Sequence, residues 1–436
     1  DPGPRATALP FRWRNNRPDG APPRGRATAT GRLDCAAMAP TRLRFLTAGE
    51  SHGPCLTGIL DGMPAGLRLD EATIARDLAR RQQGFGAGGR MKIERDHARL
   101  TAGVMAGRTT GGPIALTIDN RDHANWASKD VAAMTVPRPG HADLTGAVKY
   151  GYRDLRLSLE RASARETAMR VALGACCRAL LAEFGIVVGG YVTRIGEVAV
   201  TEAEIPVDPA VFAQRFTAAE ANDVRCHDAA AAARMHDAIA ATIAARDTLG
   251  GIVEVAALHV PPGLGSYVQL DHRLDARLAA ALMSIHAVKG VEIGCGFGVT
   301  SRPGTNAHDA LQLDGDRIVR TTNRAGGVEG GISNGAPLVV RAAIKPIATT
   351  LVPQRSVDLK SGQPAATKYE RSDYCQVPRA VPIAEAMVAL VLADALLLKL
   401  GGDSLDELRQ RFDALRQLRL PELPMDGTPW RFGYGS

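Results

Sequence analysis

From residue 43 onward, apolar positions either alternate or recur at helical spacing, and the segments they mark mix strands with helices. A strand-like run begins at Leu43 and stops in Gly49-Glu50-Ser51-His52-Gly53, after which residues 56–60 resume a short apolar stretch. Asp70 is placed to cap a helix that carries Arg80 and Arg81 at its end and runs into the glycine-rich loop 82–90. Residues 101–120 read as two short strands around Thr110-Gly111-Gly112-Pro113. Strand-like alternation returns at 186–200, 252–260, 291–299 and 337–345, with helices expected at 228–249, 274–289 and 405–418. The longest apolar run, 381–400, contains Glu385 and Asp394 and opens near Pro382, which suits a first helical turn, so it reads as a buried helix and not a membrane span.

The most informative helical stretch is 161–185. Ser163 followed three residues later by Glu166 has the form of a capping box, and Gly185 can adopt the left-handed conformation that closes a helix. Its face is built of small residues, Ala164, Ala168, Ala172, Gly174, Ala175 and Ala179, that let neighbouring backbones approach. With Arg161 and Arg165 at its start, this end can seat a phosphate, or it is simply a capped core helix; the stretch by itself leaves both open.

Composition changes this picture little. The 436 residues are 45% hydrophobic and 23% charged, enough for a large core. The net charge is +7, but the first 38 residues hold seven arginines and three aspartates, so four of those charges lie in the leader and the remainder is nearly neutral. A nucleic-acid partner is not expected, because the basic excess is neither interleaved with aromatics nor gathered on one element. The leader 1–38 is rich in Pro, Arg, Gly, Ala and Thr without hydrophobic period and is expected to be disordered, with native translation starting at Met38 and a targeting peptide as the alternative. Seven cysteines in no metal-ligand spacing point to reduced thiols in a cytoplasmic protein, with no metal site.

Candidate chemistry gathers in loops. His52 beside Glu50 and Ser51 is placed as a proton carrier, or as an ordinary structural histidine of a glycine-hemmed loop. The loop 82–90, flanked by arginines, suits closure over an anion or a plain surface turn. Two prolines stiffen the backbone around Arg138, so Arg138 and His141 are presented from a fixed loop. The cluster 326–335 could form an anion-binding nest or a hairpin turn. Periodicity alone makes His286 a packed residue.

These pieces together resemble the chorismate synthase family. The resemblance rests on Gly49-Glu50-Ser51-His52-Gly53, the Arg138-Pro139-Gly140-His141-Ala142-Asp143 loop, residues 161–167, 283–294, 326–335 and 371–385, and covers residues 42 to about 405. It implies an α/β (α+β) fold with helices sandwiched between antiparallel β-sheets, as one catalytic domain over 39–410 with a helix end and polar tail at 411–436, assembled as a homotetramer. It further implies a lyase reaction: 5-enolpyruvylshikimate 3-phosphate loses phosphate and a ring hydrogen by anti 1,4-elimination to give chorismate, with reduced FMN required and no net redox change. Carried over by motif, His52 is the acid toward the departing phosphate, His141 the proton donor to the reduced flavin and Asp373 the relay from flavin N5. Arg161, Ala162, Ser163, His286, Ala287, Gly330, Lys345, Pro346, Ile347, Ala348, Thr349 and Arg371 match flavin-binding positions, and Arg81, Arg90 and Arg138 match substrate-side cations.

One position departs from the family pattern. Where the family usually carries an arginine in the glycine loop, this chain has Ala87, which implies weaker hold on a substrate anion with flavin binding intact. No dinucleotide fingerprint follows a strand, so an outside flavin reductant is expected in preference to reduction by NADPH on the enzyme. The competing readings are a flavin-dependent oxidoreductase acting on an anionic phosphorylated substrate and a nucleic-acid binder using the arginine-rich leader.

Overall fold

Two antiparallel sheets enclose a double layer of helices in the computed structural model, which describes residues 41–88, 94–201, 204–368, 372–423, 425 and 427. Arg90, Arg371, Met38, Cys35 and the leader 1–38 lie outside the described residues. The first sheet contains β1 (Arg44–Ala48), β2 (Cys55–Asp61), β3 (Ala98–Ala102) and β4 (Ile114–Asp119) in the order β1-β2-β4-β3. The second contains β5 (Val187–Ile195), β6 (Val198–Ala199), β7 (Gly251–Leu258), β8 (Val288–Ile293) and β9 (Leu338–Ile344) in the order β8-β9-β7-β5-β6. Every pairing in both sheets is antiparallel.

Burial follows from this layering. Along β4 buried positions alternate with half-buried ones until the exposed Asp119 at its end, as in a strand with one covered face. Along β7 the last six residues are all buried, because α5 (Pro209–Glu220) covers the outer face of the second sheet. Gly189 on β5 makes that packing possible: a Cβ there would lie 2.6 Å from the ring of Phe216 on α5.

The helical layers are α1 (Glu71–Gln82) and α4 (Thr167–Ala182) against the first sheet, and α7 (Leu274–Met283) and α8 (Val377–Leu400) against the second. The stripe of small residues on α4 lets α8 approach closely. A Cβ on Gly174 would sit 2.3 Å from the Cβ of Ala386. Helix α8 is the one described helix long and apolar enough to cross a membrane, and 94% of that window is buried inside the protein. Its two acids explain themselves in the interior. Glu385, with no exposure, accepts from Arg80 at 2.6 and 2.9 Å and from Arg178 at 2.9 Å. Asp394 pairs with Arg277 and accepts from the amides of Arg42 and Leu43 at 2.7 and 2.6 Å, tying the chain entering β1 to the central helix.

Several boundaries differ from the sequence pattern, each for a local reason. The stretch 161–185 is not one helix: α3 (Arg156–Ala162) ends at Ser163, a 3-10 turn covers Ala164–Glu166, and α4 begins at Thr167. Ser163 Oγ accepts from the Arg165 amide at 3.3 Å, and the Glu166 carboxylate turns to Thr47 Oγ1 and Arg170, so no capping box forms. Gly185 does take a positive φ of 72° just past the helix. The helix expected at 274–289 stops at Met283, because Ala287 has a φ of 67° where the chain turns into β8. Helix α8 starts at Val377, which puts Pro382 inside it and not in its first turn. Removing that amide frees the carbonyl four residues back, and Arg225 Nη1 donates to Pro378 O at 2.8 Å in its place. Asp70 caps α1 through the Thr73 amide at 2.8 Å, as its position suggests.

Candidate active site

One end of the sandwich opens into a cavity of about 730 Å³ walled by segments that include 51–52, 122–129, 138–142, 162–165, 286–287 and 345–349, with 372–379 closing one side. His52 stands within the loop between β1 and β2. Its Nδ1 lies 2.7 Å from Glu160 Oε1, and its amide donates to Glu160 Oε2 at 2.8 Å. The neighbouring Glu50 therefore plays no part in holding the ring; a carboxylate 108 residues downstream on α3 does. Trp126 packs on the imidazole at 4.4 Å between centroids.

His141 is held in a parallel way. Its Nδ1 is 2.6 Å from Asp143 Oδ1, and Asp143, at the start of α2 (Asp143–Tyr150), has no exposure. Arg138 donates to the same carboxylate through its amide at 3.0 Å, Nε at 2.8 Å and Nη2 at 2.9 Å, and through Nη1 to Thr349 Oγ1 at 3.0 Å. Burial pushes the Asp143 carboxyl up, but hydrogen bonds from Arg138 and His141 with their charges outweigh it and hold the group well below the usual carboxylate range. In both histidines Nδ1 is engaged, which leaves Nε2 for the cavity.

The rest of the wall is strongly cationic. Arg81, Lys129, Arg138, Arg165, Lys345 and Arg379 line it against the carboxylates of Asp122 and Asp373. Arg81, at the end of α1, is buried and committed to Thr167 Oγ1 at 2.9 Å, Ala164 O at 3.0 Å and Asp96 at 3.4 Å. Burial, then the nearby Arg379, pull it down to about 9, so it remains a cation at neutral pH and contributes charge to the wall. Arg165 is held by Asp96 at 2.5 Å and by Asn120 at 2.8 Å. Asp373 is paired with Arg379 and accepts from the Gly88 amide at 2.7 Å. That contact, with Tyr374 N donating to Gly86 O at 2.8 Å, pins the described part of the glycine loop instead of leaving it to swing.

Among the residues singled out from the sequence, the cavity brings together Arg81, His52, Arg138, His141, Ala162, Ser163, His286, Ala287, Lys345, Pro346, Ile347, Ala348, Thr349 and Asp373. His286 lies past the end of α7 and lines the cavity, where periodicity placed a packed residue. Arg161 is outside the lining and donates to Thr47 O at 2.9 Å. Gly330 sits exposed on the hairpin of Val328–Glu329 and Ile332–Ser333, away from the cavity, so the glycine cluster is a turn here and not a nest over this site. Trp126, Lys129, Glu160, Gln376 and Arg379 were not among the sequence candidates. Of these, Gln376 and Arg379, five and eight residues beyond Arg371, lay within a motif that could have exposed them.

An α/β sandwich whose cavity joins two carboxylate-anchored histidines to a cationic wall defines an enzyme for large anionic ligands with proton transfer at its centre. A family model described as chorismate synthase matches residues 43–397. A chorismate synthase of Syntrophotalea carbinolica is 52% identical over 382 residues, covering 86% of this chain and 97% of that one. One of Trichlorobacter lovleyi is 51% identical over 388 residues, covering 85% and 98%. A crystal structure of chorismate synthase superposes with a TM-score of 0.71 at 43% identity, covering 85% of this chain and 96% of that one. The chain belongs to the chorismate synthase family, and the α/β fold expected from the sequence is the one observed.

Proposed function

We propose that this chain converts 5-enolpyruvylshikimate 3-phosphate to chorismate and phosphate by anti 1,4-elimination in the cytoplasm, with reduced FMN bound in the cavity described above. The observation that carries the assignment to this cavity is the pairing of two histidines, each with a carboxylate on Nδ1, with six cationic side chains on one wall. The cavity also fits a flavin on its own terms. His286 Nδ1 and Gln376 Nε2 are buried without a protein partner and line it, as polar atoms reserved for a ligand with ring-edge donors and acceptors would.

Ala162, Ser163, His286, Ala287, Lys345, Pro346, Ile347, Ala348 and Thr349 are assigned to hold the flavin, together with Arg161, Gly330 and Arg371. When bound, reduced FMN supplies electron density to the departing phosphate and regains it, so no net reductant is consumed. Arg81, Arg90 and Arg138 offset the substrate's negative charge, Arg138 through the Asp143 clamp that fixes its plane. His52 holds a proton at Nε2 for the departing phosphate. His141, ordered by Asp143, presents its Nε2 as proton donor on the flavin side. Asp373, facing the cavity beside Arg379, is assigned as the proton relay from the flavin N5 position.

The catalytic domain is assigned to 39–410, the assembly to a homotetramer and the reductant to an outside source. The deciding experiment is an anaerobic assay with a catalytic quantity of reduced FMN, following phosphate release and chorismate absorbance together. Many turnovers per flavin support the elimination; stoichiometric consumption of reductant overturns it in favour of an oxidoreductase.

A further inference from the structure

Glu160 makes more contacts with the His52 loop than any residue assigned a role above. Its Oε1 meets His52 Nδ1 at 2.7 Å, its Oε2 accepts from the His52 amide at 2.8 Å, and its backbone carbonyl accepts from Ser51 N at 3.0 Å. Two consecutive loop residues are thus fastened to one position on α3. The far side of the ring is closed by Trp126, and the His52 carbonyl is taken by His123 Nδ1 at 2.8 Å. Both side chains are largely buried, at 18% and 16% exposure, so the contact is not a surface pair that solvent would dissolve. Burial pushes the Glu160 carboxyl up, but hydrogen bonds from the His52 ring and amide, with the charges of His52 and Arg156, leave it below the usual range.

The contrast with the other histidine sharpens the point. Asp143 divides its carboxylate between His141 and three donors of Arg138. Glu160 gives both oxygens to His52 alone.

We propose that Glu160 is the positioning residue of the proton transfer to phosphate: by holding Nδ1–H it fixes the tautomer and rotamer of His52, so that Nε2 is the nitrogen presented to the leaving group. This rests on the reading of His52 as the acid. In the step itself the carbon–oxygen bond breaks with its electron pair going to the phosphate oxygen, and that oxygen takes the Nε2 proton. His52 is left neutral with its remaining proton on Nδ1, against Glu160, and Nε2 regains a proton from water before the next turnover. A neutral amide at 160 defeats this arrangement, since a Gln NH2 facing Nδ1 occupies that nitrogen's lone pair and keeps the ring from carrying the second proton that lets Nε2 release one and leave a neutral imidazole.

The test uses full-length enzyme with reduced FMN under anaerobic conditions. Glu160→Gln is expected to lower kcat by about 10- to 100-fold, a substantial part of what a general acid supplies, with KM for the phosphorylated substrate within about threefold of wild type. Binding of oxidised FMN, read by its fluorescence, is expected to be unchanged. In a double-mutant cycle, Glu160→Gln added to His52→Ala is expected to lower kcat no further, whereas a merely structural role would make the two losses add. Should Glu160→Gln not fold, Glu160→Asp, which keeps the charge and retracts it, is expected to lower kcat at constant KM. If His52→Ala keeps wild-type kcat, the assignment of His52 as acid falls. If His52→Ala is slow but Glu160→Gln, or Glu160→Asp where that variant carries the test, keeps wild-type kcat or adds its loss to that of His52→Ala, the positioning role of Glu160 falls while the acid stands.

Discussion

Asp143 concentrates the site's electrostatics in one carboxylate. It is fully buried, bound by Arg138 and His141, and its folded-state pKa is depressed below the ordinary aspartate value of 3.8. A depressed carboxyl contributes stability that is fully present above its unfolded pKa and lost as the pH falls from that value toward the folded one. Asp143→Asn is therefore expected to lose about 3–5 kcal/mol at neutral pH, the range for stranding a buried cation. In urea unfolding series the gap to wild type should be constant between about pH 8 and 5 and should narrow below 3.8, where the carboxyl of the unfolded wild-type chain takes up its proton while the folded one is still ionised. A gap that stays constant to the lowest pH would show that Asp143 does not titrate with folding. Ala87 is the opposite case, a charge missing where the family resemblance leads one to expect arginine. It precedes Gly88, which lines the cavity. Ala87→Arg is expected to lower KM for the substrate by about tenfold or more, since a charge-assisted contact is worth about 1.5–3 kcal/mol; an unchanged KM would assign no substrate contact to that position. At this scale the sequence was most readable where chemistry is contiguous. His141, Arg138 and Asp143 lie in one six-residue motif, while the partner of His52 lies 108 residues away and no local pattern could reveal it.

Among the elements, the passage from α1 to α8 depends on one guanidinium. Arg225 Nη1 donates to Pro378 O at 2.8 Å and Gln83 O at 3.1 Å, and Nη2 to Arg80 O at 2.6 Å. It thereby closes the end of α1 and replaces the helical bond that Pro382 removes from α8. Arg225→Met keeps the aliphatic stem without the guanidinium and takes the donor from Pro378 O and Gln83 O, while Arg80 O keeps the Gln83 amide at 3.2 Å. It is expected to destabilise the protein by about 2–4 kcal/mol, seen as a lower urea midpoint with an unchanged slope; a midpoint equal to wild type would mean that water satisfies those carbonyls. Helical periodicity and Pro382 together led to a helix beginning too late, because a proline inside a helix is acceptable only when a distant donor repairs it. The stretch 161–185 failed for a similar reason. Ser163 and Glu166 have the spacing of a capping box, but Thr47 and Arg170 compete for the Glu166 carboxylate, and the chain breaks into α3, a 3-10 turn and α4.

The pairing of strands across the whole molecule could not be read from pattern, because β8 pairs with β9 and β5 with β7 over separations of dozens of residues, and only the family resemblance supplied the sandwich. The same scale bears on Gly330, assigned to the flavin yet outside its own chain's cavity. Its hairpin is bridged through Ile332 to Gly265, next to Tyr267, Val268 and Leu270, which are 74%, 68% and 78% exposed. Apolar side chains this exposed in one short segment suit contact with another copy of the chain, and the proposed tetramer would bring the hairpin to a neighbour's cavity. Gly330 has a φ of 58° and nothing within 4 Å of a would-be Cβ, so Asn, which tolerates that conformation, should fold there. Gly330→Asn is expected to melt within a few degrees of wild type and to scatter light at the same mass as wild type. FMN affinity, by fluorescence titration, should fall by about tenfold, equivalent to about 1.4 kcal/mol. Unchanged affinity in an intact tetramer would remove Gly330 from the flavin site, and a monomer with full affinity would show that each cavity is complete within one chain.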